Sequence, residues 1–247
     1  MLRPHQYLSL RIISSIIASV FGLMASQVIQ AQGTMTYLSN LGQSSTGSLA
    51  AGSDSWLAAG FQTGTNNGGY VLNSIQLAMN AASGNPTGFK VMLYADGVIA
   101  GGVIPGNSLG TLSGSLDPVA SGTYTFTPAA NLTLSRFTPY FIVLTAVTAI
   151  SDGAYNWRLA GVNAYNPSGG WGTLAAYWTS SNGSSWPGPT PGYPQFAINA
   201  AAVPEPGVSS LLALGGCFFV WRWRKTKAVN ATFGGERDFG GRTGNWK

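Results

Sequence analysis

The sequence predicts an all-β protein: an antiparallel β-sandwich of jelly-roll-like layout, with an N-terminal signal helix and a single hydrophobic C-terminal helix. Three observations carry this reading. Glycine is 34 of 247 residues, roughly twice average usage. Charged residues are only 8 % while aromatics are 12 %, which argues against a coiled coil, a helical bundle or a disordered chain. Short apolar runs alternate with period two between turns rich in Gly, Ser and Asn.

The elements follow in chain order. Residues 1–31 read as a secretory signal peptide. Arg3 and Arg11 make a positive start, Ile12 to Met24 is an uncharged and mostly apolar run, and Ala31 offers the small residue before a cut. Residues 32–202 read as one β domain. Its strand candidates are 56–63, 70–80, 88–95, 109–113, 122–127, 139–147, 155–160, 174–179 and 195–200. In 70–80, Val71, Asn73, Ile75, Leu77 and Met79 alternate with Tyr70, Leu72, Ser74, Gln76 and Ala78. In 88–95, Phe89, Val91, Leu93 and Ala95 oppose Lys90, Met92 and Tyr94. Phe141 to Val147 is apolar on both faces, as a central strand covered on both sides requires. Trp56 and Trp157 sit in strand-like apolar contexts and are expected in the core. The stretch 161–194 reads as one aromatic strand between long loops. No helical stripe occurs inside the domain.

Beyond the domain, 203–227 reads as an anchor segment. Val203-Pro204-Glu205-Pro206 is a stiff, non-helical entry, because each proline fixes φ and pushes its predecessor to extended backbone. Val208 to Trp221 is then 14 uncharged residues. As a helix it spans about 22 Å at 1.5 Å per residue, short for a hydrocarbon core of roughly 30 Å. Arg222, Arg224, Lys225 and Lys227 follow at once, with Trp221 and Trp223 among them, and fit a cytoplasmic C-terminal flank. Residues 228–247 are polar and glycine-rich, and are expected to be disordered.

Charge and residue counts narrow the function classes. The formal net charge is +5, yet the domain carries only Asp54, Asp96, Asp117 and Asp152 against Lys90, Arg136 and Arg158. Such a surface has no basic stripe for phosphates, so no nucleic-acid partner is expected. The one histidine is His5 and the one cysteine is Cys217, both outside 32–202. The domain therefore lacks a Ser-His-Asp triad, a Cys-His pair, a disulfide and a His-ligated metal site. The expectation is a non-enzymatic protein with no catalytic residues, no cofactor and no metal.

Two alternatives keep a site in the domain. Trp171, Tyr177, Trp178, Trp186 and Tyr193 could stack on sugar rings, with the amides of Asn166, Asn182 and Gln195 bonding hydroxyls, which would make a carbohydrate-binding module acting on exopolysaccharide. The competing reading is that these rings pack as core or loop anchors. The four aspartates could supply calcium oxygens or, if two stood about 5–10 Å apart in one cleft, a glycosidase pair. They read more simply as turn residues.

The block of Val203, Pro204, Glu205 and Pro206, the short apolar run and the basic cluster together resemble the PEP-CTERM sorting signal of Gram-negative bacteria. The resemblance implies transient tethering in the inner membrane, recognition by an exosortase-type processing enzyme, removal of the anchor, and delivery to the cell surface or exopolysaccharide matrix. The domain is similar to the choice-of-anchor R type over about 37–200. The matching residues are 56–63 (WLAAGFQT), 70–72 (YVL), 91–94 (VMLY), 124–126 (YTF), 139–144 (PYFIVL) and 155–157 (YNW). That resemblance implies no catalytic residues.

Overall fold

The computed structural model describes residues 33–99 and 102–204. The signal segment with Ala31, Glu205, Pro206, the apolar run, the basic cluster and the tail lie outside the described residues. Fourteen strands run in order: β1 (Met35–Ser39), β2 (Ser45–Ala51), β3 (Trp56–Gln62), β4 (Tyr70–Gly84), β5 (Lys90–Ile99), β6 (Gly102–Ser113), β7 (Gly122–Pro128), β8 (Leu132–Leu134), β9 (Pro139–Thr145), β10 (Gly153–Ala160), β11 (Gly172–Ser180), β12 (Thr190–Pro191), β13 (Tyr193–Pro194) and β14 (Phe196–Ala202). No helix occurs among the described residues.

The strands form one curled antiparallel sheet. One arm holds β1, β14 and β4, with β7 and β8 on the other side of β4 and β10 continuing along its far half to β2. The other arm holds β12, β11, β3, β9, β5 and β6. Strand β7 joins the arms: Gly122–Phe126 pair with β4, and Thr127 and Pro128 pair with β6.

The main core lies on the inner faces. Leu57, Phe61, Val91, Leu93, Ile142 and Leu144 from one arm share it with Tyr70, Leu72, Ile75, Leu77, Trp157, Phe196 and Ile198 from the other. A second apolar cluster covers the opposite face of β3, β9 and β5, where Ala58, Met92, Tyr94, Phe141 and Val143 meet Trp178 and Trp186. Tyr140 through Thr145 are all buried as a result, so the reading of a strand covered on both sides holds. Val147, just beyond it, is exposed.

The alternation in β5 places Val91 and Leu93, with Phe89 just before the strand, in the main core and Met92 and Tyr94 in the second. In β4 the expected alternation holds for Ile75, Leu77 and Met79 but is inverted for Tyr70 and Leu72, which also face the core. The register against β14 explains this. Ser74 pairs Asn199 and Leu72 pairs Ala200, so Asn73 is an extra residue, and a one-residue bulge reverses the facing of everything before it.

Candidate functional site

The N- and C-terminal chains leave the described fold at the same end. Met35 of β1 pairs Ala200 of β14, and Ala202 pairs Tyr70 at the start of β4. Strand β4 is 15 residues long, about 45 Å of strand, and its other end meets the start of β10, where Gly84 pairs Gly153. The C-terminal exit carries the first residues of the proline motif, Val203 and the exposed Pro204.

The exit is built on the β3–β4 loop, Gly64-Thr65-Asn66-Asn67-Gly68-Gly69. Val203 N–H donates to the Gly69 carbonyl at 3.0 Å, extending β14 by one bond. Asn66 closes the clamp: its Nδ2 donates to the Val203 carbonyl at 2.9 Å and to the Gly69 carbonyl. Two carbonyl acceptors require the amide nitrogen, not the oxygen, to face inward. The Tyr70 hydroxyl accepts the Asn66 backbone N–H at 3.1 Å. Glycine is required twice here. A Cβ on Gly68 would lie 2.6 Å from the Val203 carbonyl oxygen, and Gly69 has φ +75° with a Cβ position 2.5 Å from the Leu134 oxygen.

The same loop is fastened on its other side to the turn between β8 and β9. Phe137 N–H donates to Gly64 O at 3.1 Å, and Arg136 donates to the Asn67 side chain. Thr63 is fully buried, and its hydroxyl donates to Ser135 O while accepting the Thr138 N–H at 3.0 Å.

Asn66→Ala is expected to cost about 1 kcal/mol, since it removes donors from two carbonyls that water can partly replace. That is a fall of roughly 2–4 °C in Tm for a domain of this size. Limited proteolysis at 201–204 should quicken; an unchanged rate would show that the clamp does not hold Val203.

The five aromatic residues of the proposed sugar platform do not share a surface. Trp171 is buried in the main core, stacked on Tyr37 at 5.0 Å and on Phe61 at 5.8 Å. Trp178 and Trp186 are buried in the second cluster. Tyr177 and Tyr193 are half-buried. Sequence distance misleads here: Trp178 and Tyr177 are neighbours on β11 and therefore point to opposite faces. Of the amides, Gln195 is fully buried, with its Nε2 donating to Gln43 O at 2.8 Å, and the Asn182 side chain accepts from Ser184 and Ser185 within its own turn.

Asp54 and Asp117 are loop partners, while Asp96, expected with Gly97 in a turn, lies within β5 opposite Pro105. Asp54 accepts the Ile150 N–H at 2.9 Å. Asp117 accepts the Tyr155 hydroxyl at 2.8 Å. Burial, with the Asp117 hydrogen bond and charge adding to it, pushes the Tyr155 phenol far above the usual tyrosine value, so it stays a donor at any physiological pH. Among the described residues no three His, Cys, Asp or Glu side chains gather as a metal site.

The exit clamp was not legible in the sequence. Its signal was Asn-Asn-Gly-Gly, which reads as a turn but does not say what the turn holds. Comparison with protein-family models, curated proteins and solved structures gives no match for this chain.

Proposed function

We propose that this chain is an exported, non-enzymatic protein of the cell surface or exopolysaccharide matrix. In this reading it is held for a time in the inner membrane by its C-terminal segment, and an exosortase-type enzyme releases it at the Val203–Pro206 motif. The domain is read as a jelly-roll-like sandwich that serves a structural or interaction role, with helices at both ends of the chain.

The observation that carries the proposal is where the fold hands over to the motif. Strand pairing runs through β14 to Val203, whose N–H donates to Gly69 O, and Pro204 is exposed. A processing enzyme needs an extended peptide that no strand pairing competes for, and here that peptide starts after Val203, which the β3–β4 loop holds. Pro204 and Pro206 provide it, since neither can donate to a ladder and both hold φ near −65°. The apolar run after it is short for a permanent span, which suits a temporary anchor. The basic residues after that run would hold it until cleavage.

Mature protein is expected to lack the segment from about residue 207 onward, as the motif's position requires. Pro204→Ala combined with Pro206→Ala should leave full-length protein in the inner membrane. Mass spectrometry of the matrix-associated form decides: recovery there of an intact 208–221 peptide as the main species overturns the proposal.

A further inference from the structure

We propose that Asn67 is a self-modifying residue: Arg136 promotes its conversion to isoaspartate in the folded domain, and the converted β3–β4 loop releases Val203. This goes beyond the export reading and does not depend on it, because every group involved lies within the described domain.

The sequence holds two Asn-Gly pairs, Asn67-Gly68 and Asn182-Gly183. Such a pair is labile because the glycine nitrogen can attack the asparagine side-chain carbonyl with no Cβ in its path. Both asparagines are exposed, so exposure does not separate them. The glycine nitrogens do. The Gly183 N–H donates to Ser180 Oγ at 2.9 Å, and the Trp56 ring stands over that glycine, 2.5 Å from where a Cβ would be. The Gly68 N–H donates to no group among the described residues. Nor can another residue replace Gly68, since its Cβ would lie 2.6 Å from the Val203 carbonyl oxygen. The exit clamp thus forces a glycine next to Asn67.

Arg136 supplies the second requirement. Its Nη1 donates to Asn67 Oδ1, the oxygen that gains charge as the nitrogen attacks. A cationic donor on that oxygen lowers the barrier as an oxyanion hole does, and the attack is intramolecular. Solvent hydroxide takes the Gly68 N–H proton, and the nitrogen lone pair forms a bond to Asn67 Cγ. The C=O electron pair moves onto Oδ1. Its return breaks the Cγ–Nδ2 bond, and Nδ2 leaves as ammonia with a proton from water, which restores the hydroxide. Water then opens the resulting succinimide. Breaking the new bond to Cγ gives aspartate; breaking the bond from the same nitrogen to the main-chain carbonyl carbon of residue 67 gives isoaspartate. One water is consumed, one ammonia is released, and nothing is oxidised or reduced. Both products place a carboxylate beside the Arg136 guanidinium, a charge-assisted pairing that the amide lacks.

Isoaspartate changes the loop. The Gly69 N–H donates to the Asn66 carbonyl at 3.0 Å, closing a turn with Asn67 and Gly68 at its two middle positions. Isoaspartate routes the main chain through Cβ and lengthens that turn by one methylene. Val203 is held from both ends of the turn: Asn66 Nδ2 donates to its carbonyl at 2.9 Å, and its N–H donates to Gly69 O at 3.0 Å. A lengthened turn cannot keep Asn66 and Gly69 at the spacing these two bonds require.

The test incubates the full chain in mildly alkaline buffer and follows both asparagines by peptide mapping, with isoaspartate identified by electron-transfer fragmentation. Asn67 should convert several-fold faster than Asn182. Arg136→Gln should slow conversion at 67 several-fold and leave 182 unchanged. In urea, where the fold is gone, the two positions should convert at similar rates. If Arg136→Gln melts below the parent, Arg136→Met replaces it with the same expectation. Conversion at 67 no faster than at 182, a rate ratio unchanged by urea, or a rate at 67 unchanged by the Arg136 variant overturns the self-modification. Chains carrying isoaspartate at 67 should be cut at 201–204 several-fold faster than unconverted chains in limited proteolysis; equal cutting overturns the release of Val203.

Discussion

Trp157→Ala is expected to destabilise the domain by about 4 kcal/mol, near the middle of the range for a buried tryptophan reduced to alanine. Trp157 is fully buried on β10, where it pairs Leu49 of β2 on one side and Met79 of β4 on the other. Its neighbours are held by their own ladders on both sides and cannot close the hole, so the cavity left behind stays open. The indole N–H also donates to Gln195 O at 2.9 Å. That carbonyl keeps a second donor, Ala78 N–H at 3.1 Å, so the lost hydrogen bond adds little. Four kcal/mol is a large share of a typical 5–15 kcal/mol total, and corresponds to a Tm lower by roughly 8–16 °C. Trp157→Phe, which keeps most of the volume, should lose less than half as much. Urea unfolding checks this through the midpoint at constant slope; a loss under about 1 kcal/mol for Trp157→Ala would mean that β10 is not packed as described.

Trp178→Ala is expected to cost about 3 kcal/mol, from the same cavity effect in the second cluster. Trp178 is 2 % exposed and meets Phe141 edge-on, at 4.9 Å and 88°. Its indole nitrogen has no hydrogen-bond partner, which separates it from Trp157. Trp178→Phe removes an N–H that is desolvated without return, and should stay within about 1 kcal/mol of the parent. The contrast matters for function. Any loss of sugar binding in Trp178→Ala would follow from lost packing and would come with a lowered Tm, whereas a stacking role would show as lost binding in a variant that melts normally. Thermal melts of both variants beside a glycan array distinguish the two, and a Trp178→Ala protein with unchanged Tm contradicts the burial described here.

Much of the strand content was legible in the sequence because period two is a local property. The runs in β3, β5, β9 and β10 carry enough Val, Ile, Leu and aromatic residues to declare themselves. Strand β2 does not: Ser45-Thr46-Gly47-Ser48 is exposed and polar, and it is a strand because β10 offers it an edge. Strand β1 is five residues and the short β8, β12 and β13 are pairings, not patterns. Asn73 shows the limit from the other side. Nothing in an asparagine announces a bulge, and only the register against β14 reveals that the phase of β4 changes there.

The aromatic residues of 161–194 show the same limit. A sequence rich in Trp, Tyr, Gly and Pro is compatible with an open platform and with a packed layer, because both use large rings held by turns. Burial is decided by what lies opposite. For Trp171 that is Tyr37 and Phe61, and for Trp178 it is Phe141, residues 37 to 134 positions away in the chain.

By itself the sequence determined the all-β class, through glycine content, scarce charge and period-two runs, and it determined the absence of histidine and thiol chemistry from the domain, because composition needs no fold to be read. Tertiary structure alone decided that both chain ends leave at one end of the sheet, that Asn66 clamps Val203, and that Phe137 stands exposed beside that exit. These depend on which strands pair and in what register, and pairing is settled by contacts between residues far apart in sequence, whose loop-closure cost and packing gain leave no local signature.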